Sequence, residues 1–213
     1  MIHFYYGCLF LCMENEVLRC IKGRRSIRNY EDKPLPREEI EEIIAAGRYA
    51  PSPENRQPWK FIVVTNRDEI KRMSEETKEQ IRKMLGQRRK WKKRYRELDD
   101  RETLLFLHAV GSSKKDMIFH EAPAIVFILA EDGIFYDEAC ACAAQNMMLA
   151  AHSMGIGSCW IGFAKFLEMS DMMKEMGMPD NHHISACITL GYARNMPKPA
   201  PRKPTADVIR WVE

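Results

Sequence analysis

Residues 124–130 read AIVFILA and residues 137–154 read DEACACAAQNMMLAAHSM, and these two stretches decide the fold. The first is a continuous apolar run of strand length, so we expect a strand that is covered on both faces. The second begins with two acidic residues, at the positive end of a helix dipole, and continues with small residues and methionines, which is typical of a buried helix. Small side chains let another helix approach closely, so this helix fits a subunit interface and a tightly packed core equally well.

The flanking segments add helices and strands in an irregular order. Before the central strand, the patterns predict helices at residues 14–22 and 36–47, a Pro-rich loop at 50–58, a strand at 59–65 and a charged helix at 67–85. After it they predict a short strand at 157–162, a Met-rich helix at 166–176, a strand at 184–190, an extended tail from residue 193 and another strand at 208–212. Helices that do not alternate strictly with strands indicate a single α+β domain with a mixed sheet. A Rossmann domain is not favoured, because no G-x-G-x-x-G follows the first strand.

The composition excludes several classes of protein. The 213 residues are 46% hydrophobic and 30% charged, which is typical of a globular domain. No apolar run approaches the roughly 18–20 residues that cross a bilayer, so we expect no membrane span. The seven cysteines are scattered and odd in number, and no C-x-x-C pair occurs. We therefore expect reduced thiols in a cytoplasmic protein and no metal site.

The N-terminus differs in character from the rest of the chain. Residues 1–11, MIHFYYGCLFL, are apolar and aromatic, and the sequence turns charged at Met13. A signal peptide would have a basic start and a small-residue cleavage site, and both are missing here. We expect residues 1–13 to be a non-native or disordered extension and residues 14–213 to form the domain; an ordinary apolar arm and a targeting segment are the alternatives.

Residues 82–96, RKMLGQRRKWKKRYR, are rich in Lys and Arg although the whole chain carries a net charge of only +3. Such a stretch raises the possibility of nucleic-acid binding. The favoured interpretation is a solvated helical excursion whose aromatic residues pack onto the body of the protein, because the segment contains no base-reading motif. Nucleic acid is therefore not an expected partner.

A cluster of cations follows the first predicted helix. Arg24, Arg25, Ser26 and Arg28 place three guanidinium groups and a hydroxyl within five residues. Guanidinium groups stay charged and bind phosphate through two parallel hydrogen bonds. By itself such a cluster is more often a basic surface patch than a phosphate site.

The cluster is one of four sequence blocks that occur in a fixed order. RRSIRNY at 24–30, APSPENRQPWKFIVV at 50–64, GIGSCWIG at 155–162 and GYARNMPKPAPRKP at 191–204 resemble the successive signatures of the nitroreductase family of flavoproteins. Each block is weak alone, but the ordered set is specific and the resemblance covers residues 14–213. It implies a three-layer α+β fold in which helices flank a central mixed, mainly antiparallel sheet. It also implies a homodimer with two FMN sites at the subunit interface.

The resemblance also assigns residues to the FMN. Arg24 and Arg202 would hold the phosphate, Arg25 and Ser26 would lie near the ribityl chain and ring edge, and Arg28 would lie beside the N1 and C2 carbonyl edge of the ring. The loop with Pro51, Ser52 and Asn55, and secondarily Gln57, would approach the flavin from the partner subunit or orient its pyrimidine side. The backbone of Cys159, Trp160, Ile161 and Gly162 would lie beside the N5 edge. Cys159 itself is interpreted as a small hydrophobic residue, because no histidine is placed to activate it.

The implied reaction is hydride transfer from NADH or NADPH through flavin N5 to a small electron-poor acceptor, by a ping-pong mechanism. Nitroaromatics, quinones, enones and free flavin are the expected acceptors. Because the flavin carries the bond chemistry, no protein side chain is assigned as a catalytic acid or base. A specialised relative, such as a reductive dehalogenase, a flavin-consuming enzyme or a cofactor-biosynthesis enzyme, is the alternative within the family. A non-catalytic module that binds flavin or nucleic acid is the alternative outside it. Residues 83–113 lie where family members carry a variable lid.

Overall fold

The computed structural model describes residues 15–93 and 95–213. The extension expected at residues 1–13 lies outside the described residues. None of the helices in the described ranges is long and apolar enough to cross a membrane.

A four-stranded sheet forms the middle of the domain. Its strands are β1 (Trp59–Val64), β2 (Ala124–Glu131), β3 (Gly157–Trp160) and β4 (His182–Gly191), in the spatial order β1, β2, β4, β3. Each of these three neighbouring pairs is antiparallel. The only parallel pairing among the described residues is an isolated bridge between Ser26 and Ser158. The expectation of a mainly antiparallel sheet inside an α+β domain is confirmed.

The central strand matches its sequence pattern. Residues Ala124 to Ala130 are all buried, because helices cover both faces of the sheet. On one face, Val126 and Ile128 pack with apolar residues of the second and sixth helices. On the other face, Ile125 and Phe127 pack with residues of the third and fifth helices. The result is the predicted arrangement of three layers.

The helices fall close to their predicted positions. They are α1 (Glu16–Gly23), α2 (Arg37–Gly47), α3 (Arg67–Gly86), α4 (Arg88–Trp91), α5 (Arg101–Ser112), α6 (Tyr136–Ser153) and α7 (Met172–Glu175). Short 3-10 helices occur at Pro53–Asn55, Arg96–Asp99, Gly162–Met169 and Thr205–Asp207. Helix α6 is the predicted small-residue helix, and it packs against α2, α1 and the sheet.

Two predicted elements differ in the structure. The helix expected at 166–176 is divided into the 3-10 helix Gly162–Met169 and α7. The break lies at Ser170, which has extended backbone and whose hydroxyl donates to the carbonyl of Leu167 at 3.0 Å. The strand expected at 208–212 is wrong for the single chain, where these residues are exposed and form no strand. Strand residues need a hydrogen-bonding neighbour, and the chain's own described residues provide none there.

Candidate functional site

Residues 24–28, with the sequence RRSIR, run along the outer edge of β3. The backbone N–H of Ile27 donates to the carbonyl of Ser158 at 2.9 Å. Further along, Tyr30 forms an antiparallel bridge with Ala193. The segment is therefore held between the edge strand and the start of the C-terminal tail, with the end of α1 immediately before it.

Arg25 closes the C-terminal end of α1. Its Nη1 donates to three carbonyl oxygens that the helix leaves without partners, those of Lys22, Gly23 and Arg24, at 2.5, 2.9 and 2.9 Å. A cation at this position also complements the negative end of the helix dipole. With Nη1 engaged in this way, the Nε of Arg25 is buried and has no hydrogen-bond partner among the described residues.

A cavity of about 100 Å³ opens beside this arginine. Arg24, Arg25, His152 and Ser158 line it together with the backbone of Gly155 to Gly157. Ser158 is only 2% exposed, and its Oγ, like Arg25 Nε, lacks a hydrogen-bond partner within the described part of the chain. Leaving a buried donor unpaired costs about 1–3 kcal/mol. We call this space the arginine cavity; two unpaired donors and a second guanidinium group fit an anion with several acceptor oxygens.

His152, near the end of α6, also lines the arginine cavity. Its Nε2 lies against the α-carbon of Gly23, so that a Cβ at position 23 would come within 2.7 Å of it. Burial lowers the pKa of His152, and the positive charges of Arg24 and Arg25 lower it further. The ring is therefore held neutral near pH 7 next to two permanent cations.

Arg28 is exposed, and it acts on a different set of groups. Its charge contributes to lowering the pKa of His120, although burial is the larger cause. It also opposes the rise in the pKa of Cys159 that burial produces. The net effect at Cys159 is a raised pKa, so the thiol stays protonated, which agrees with its interpretation as a small hydrophobic residue.

A second, larger cavity lies near Arg28. It measures about 640 Å³ and mixes acidic and basic walls, including Lys78, Asp116, His120 and Arg194. Asp116 organises this wall by accepting hydrogen bonds from Ser74 Oγ and from the backbone N–H groups of residues 118, 119 and 121. His120 and the residue after it have left-handed backbone, with φ of 59° and 55°. Nothing in the sequence pattern predicts this cavity, because its walls come from separate parts of the chain.

The loop at residues 50–58, which is expected to approach the flavin from the partner subunit or to orient its pyrimidine side, does not reach the arginine cavity in the single chain. Pro51, Ser52, Asn55 and Gln57 precede β1, which is at the opposite edge of the sheet from β3. Three strand spacings of about 4.8 Å separate the two edges by roughly 14 Å. The loop itself is well defined, since Ser52 Oγ accepts from the backbone N–H of Gln57 at 3.0 Å and Asn55 and Gln57 have φ of 56° and 51°.

Arg202 is also away from the arginine cavity in the single chain. It lies in the exposed tail, and its Nη1 donates to the carbonyls of Ala200 and Pro201 at 3.1 and 3.2 Å. Arg202 is not among the residues that line the arginine cavity. Its assignment to the phosphate stays a prediction.

The segment assigned to the N5 edge continues from β3. Ile161 N–H donates to the carbonyl of Cys187 at 2.8 Å and is therefore engaged in the sheet. Gly162 is exposed and begins a 3-10 helix, whose first N–H groups have no partner within the helix. Of the four predicted residues, Gly162 is the better candidate for a backbone donor to a ligand, while Trp160 is 39% exposed beside it.

Part of the basic segment is paired with the protein's own acidic groups. Lys92 and Arg88 lie 2.6 and 3.6 Å from Asp99, and Trp91 stacks on Tyr95 with ring centroids 6.0 Å apart. Trp91 also packs against the core on the α3 face of the sheet. This arrangement favours the interpretation as a helical excursion.

Two residues that line the arginine cavity have no role in the sequence-based assignment. Ser158 was part of a block but was not assigned a role, and His152 was treated only as part of the buried helix. The signal for both was their position on either side of the glycines at 155 and 157, where the chain turns from α6 into β3.

The fold and the arginine cavity define an α+β protein with a cavity lined by two arginines at the edge of its sheet. The chain belongs to the nitroreductase family, whose family model matches residues 21–192. The resemblance inferred from the four sequence blocks is thereby confirmed.

Several relatives support the same assignment. The chain is 32% identical to a nitroreductase with bound FMN from Bacteroides fragilis, with a TM-score of 0.77 over 94% of this chain and 100% of that one. It is 26% identical to a nitroreductase with bound FMN from Desulfitobacterium hafniense, with a TM-score of 0.75 over 94% and 100% of the two chains. It is also 31% identical to a protein of Archaeoglobus fulgidus provisionally named NADH dehydrogenase/NAD(P)H nitroreductase, over 84% of this chain and 87% of the relative.

Proposed function

We propose that this protein is an FMN-dependent oxidoreductase that transfers hydride from NADH or NADPH to a small electron-poor acceptor. The arginine cavity carries the proposal, because Arg24 and Arg25 line it and because Arg25 Nε and Ser158 Oγ are buried donors without a hydrogen-bond partner among the described residues. Two solved relatives contain FMN, and the archaeal relative is named for NAD(P)H chemistry.

The phosphate of FMN is the group that fits the arginine cavity. Arg24 supplies a guanidinium group, and Arg25 Nε and Ser158 Oγ supply two further donors. A phosphate monoester carries about −1.5 to −2 charge at pH 7 and offers three acceptor oxygens, which matches this set of donors. In this arrangement Arg25 would have two functions: its Nη1 closes α1, and its Nε would donate to the phosphate.

With the phosphate in the arginine cavity, the other residues predicted to contact FMN would lie along the edge of β3. Ser26 is paired with Ser158 at the cavity, Arg28 lies two residues further, and Gly162 follows the far end of β3. When bound, FMN supplies hydride acceptance and donation at N5. Arg28 would stabilise the negative charge that the ring gains on reduction. The exposed N–H of Gly162 would orient the N5 edge.

A row of phenylalanines favours a planar, apolar acceptor. Phe163 follows Gly162 directly, and its ring lies 6.0 Å from that of Phe106 and 6.2 Å from that of Phe166, measured between centroids. Phe106 belongs to α5, inside the segment expected to form the lid, and it is 51% exposed. Aromatic rings at such distances offer stacking surfaces to a nitroaromatic or a quinone.

The protein would work as a homodimer. Val17, Leu18 and Ile21 form an exposed apolar face on α1, and the tail ends in exposed apolar residues that include Trp211, which is 80% exposed. A second subunit could cover these surfaces and bring the loop at residues 50–58 to a flavin that one chain cannot enclose.

The proposed compartment is the cytoplasm. The five cysteines that the structure describes are all free thiols. Such thiols fit a reducing environment.

The test is to purify the protein, identify the released cofactor and follow its reaction anaerobically. We expect FMN in stoichiometric amount, loss of the oxidised flavin absorbance on addition of NADH or NADPH, and recovery of that absorbance with nitroaromatics or quinones. Absence of flavin after reconstitution with FMN would overturn the proposal. If NAD(P)H reduces the flavin but no acceptor in the panel reoxidises it, the protein acts on a specialised acceptor and not on small electron-poor acceptors in general.

A further inference from the structure

His152 is a component of the arginine cavity that the proposed function does not use. Its ring lines the cavity with Arg24 and Arg25, and its side chain has no hydrogen-bond or ion-pair partner among residues 15–93 and 95–213. The ring is partly buried, and Gly23 leaves just enough room for Nε2. An imidazole in this position can approach the same anion as the two arginines.

We propose that His152 is a further phosphate-binding residue and that it takes up a proton from solvent when FMN binds. The inference rests on the proposed function, because it assumes that the anion in the arginine cavity is the phosphate of FMN. It adds a titratable cation to the two permanent ones and so makes FMN binding depend on pH.

The direction of the proton transfer follows from the charges in the cavity. Without a ligand, burial and the charges of Arg24 and Arg25 lower the pKa of His152, so the ring is neutral near pH 7. A phosphate dianion placed among the same groups offsets the positive charge of the two arginines and gives the imidazolium an acceptor of opposite charge, and both effects favour the protonated ring. The protonated ring also has two N–H donors instead of one, which suits a ligand that only accepts.

Among residues 15–93 and 95–213, the other elements around the ring add no competing titration. The remaining described residues that line the cavity are Ile27, Gly155, Ile156, Gly157, Ser158, Ala193 and Met196, none of which titrates in the accessible range. Helix α1 packs against α6, but its titratable side chains, those of Glu16, Arg19, Cys20 and Lys22, do not line the described cavity. The phosphate of FMN, with a second pKa near 6, is almost fully ionised at pH 7.5, so it releases few protons there.

The test is calorimetry of FMN binding to the apoprotein at pH 7.5 in buffers of different ionisation enthalpy. We expect a net uptake of a fraction of a proton per FMN, and none for riboflavin, which lacks the phosphate. His152→Gln keeps a polar side chain that does not titrate, and it should abolish the uptake. The variant should weaken FMN binding about tenfold at pH 6.5, where His152 is charged in the complex, and less at pH 8.5. His108→Gln, at an exposed histidine of α5, is the matched control and should behave as wild type.

A second measurement reports on the histidine directly. In NMR titrations, the imidazole signal that is missing from His152→Gln belongs to His152. The pKa read from this signal should be below 6.5 without FMN and clearly above 6.5 with FMN. FMN binding without proton uptake, together with an unchanged titration of His152, would overturn this inference and leave the proposed function intact. Failure of FMN to bind the wild-type protein would overturn both.

Discussion

The α-carbon of Gly23 and the Nε2 of His152 are in direct contact, so that a Cβ on residue 23 would lie only 2.7 Å from the ring nitrogen. The contact joins the last residue of α1 to the end of α6. It sets how far the imidazole can move away from the arginine cavity. A glycine is required here by the close approach of the ring, and its backbone needs no unusual angle.

This contact gives the first prediction. Gly23→Ala should displace the His152 ring, because a Cβ contact under 3.0 Å is not tolerated without movement. The free energy of unfolding should change by less than about 1 kcal/mol, since alanine is a good helix former and the ring can rotate. The dissociation constant of FMN should rise several-fold in fluorescence titrations. Gly86→Ala, at a helical glycine with open space around it, is the control and should leave FMN binding unchanged.

The unpaired hydroxyl of Ser158 leads to a second prediction. Ser158→Ala removes a buried donor that the apoprotein leaves unsatisfied, so the free energy of unfolding of the apoprotein should increase by about 1 kcal/mol. FMN affinity should decrease about fivefold, because the same hydroxyl would bind the phosphate. Urea unfolding and fluorescence titration measure the two effects. Lower stability of the apoprotein together with unchanged FMN affinity would show that Ser158 serves packing alone.

The control for Ser158 is Ser74, which is equally buried but has a partner. Its Oγ donates to Asp116 at 2.6 Å. Ser74→Ala should therefore lower the stability of the apoprotein, by about 1 kcal/mol, and should leave FMN affinity unchanged.

A third prediction concerns acid. Burial is the main cause that lowers the pKa of His120, His152 and His182 below the usual 6.5. The unfolded chain therefore binds more protons than the native apoprotein near pH 6, and the free energy of unfolding should fall as the pH drops from about 7 to 5. Carboxyl groups with a lowered pKa, such as Asp137, affect the free energy of unfolding only below this pH range.

Urea unfolding of the apoprotein at pH 7.5, 6.5 and 5.5 measures this dependence. His152→Gln should make the fall shallower, since a residue that cannot titrate no longer binds an extra proton in the unfolded state. With saturating FMN the wild-type protein should lose less stability over the same range, because the bound phosphate favours the charged ring. Equal slopes for the wild type and the variant would contradict the lowered pKa of His152.

The framework of the fold could be predicted from the sequence because its signals are local. The apolar run at 124–130 became β2, and the small-residue stretch at 137–154 became α6. The predicted helix at 166–176 failed where a single side chain, Ser170, bonds back to Leu167 and interrupts it. Periodicity does not detect such a break, because the apolar pattern continues through it.

The candidate site could be predicted only in part, because it is assembled by long-range pairing. The motif indicated Arg24 and Arg25, but the bridge between Ser26 and Ser158 joins segments more than a hundred residues apart. That bridge places Ser158 at the cavity, and the end of α6 adds His152. Neither contact has a local pattern.

A fourth prediction tests the assembly. We expect a dimer of twice 24.9 kDa with an interface above roughly 2,000 Å², the range of obligate homodimers. Leu18→Asp on the exposed apolar face of α1 should shift the protein toward the monomer and reduce flavin content, because a charge would be buried without a partner. Sedimentation velocity with absorbance at protein and flavin wavelengths measures both. A wild-type monomer that binds FMN with full occupancy would contradict the shared site.

The last prediction separates binding of the flavin from tuning of its redox potential. Arg24 and Arg25 line the arginine cavity, whereas Arg28 is exposed and does not line it. Arg28 should therefore contribute little to holding oxidised FMN, and Arg28→Gln should weaken binding by less than about tenfold. Negative charge reaches the ring only on reduction, so a nearby cation stabilises the reduced form in particular. The two-electron potential of Arg28→Gln should fall by tens of millivolts, given that about 30 mV corresponds to 1.4 kcal/mol for two electrons, and reduction by NAD(P)H should slow. Spectroelectrochemical titration at equal pH and salt measures the potential, with Arg37→Gln on the exposed surface of α2 as the control for loss of one charge. An unchanged or raised potential in Arg28→Gln would show that Arg28 does not act on the flavin ring.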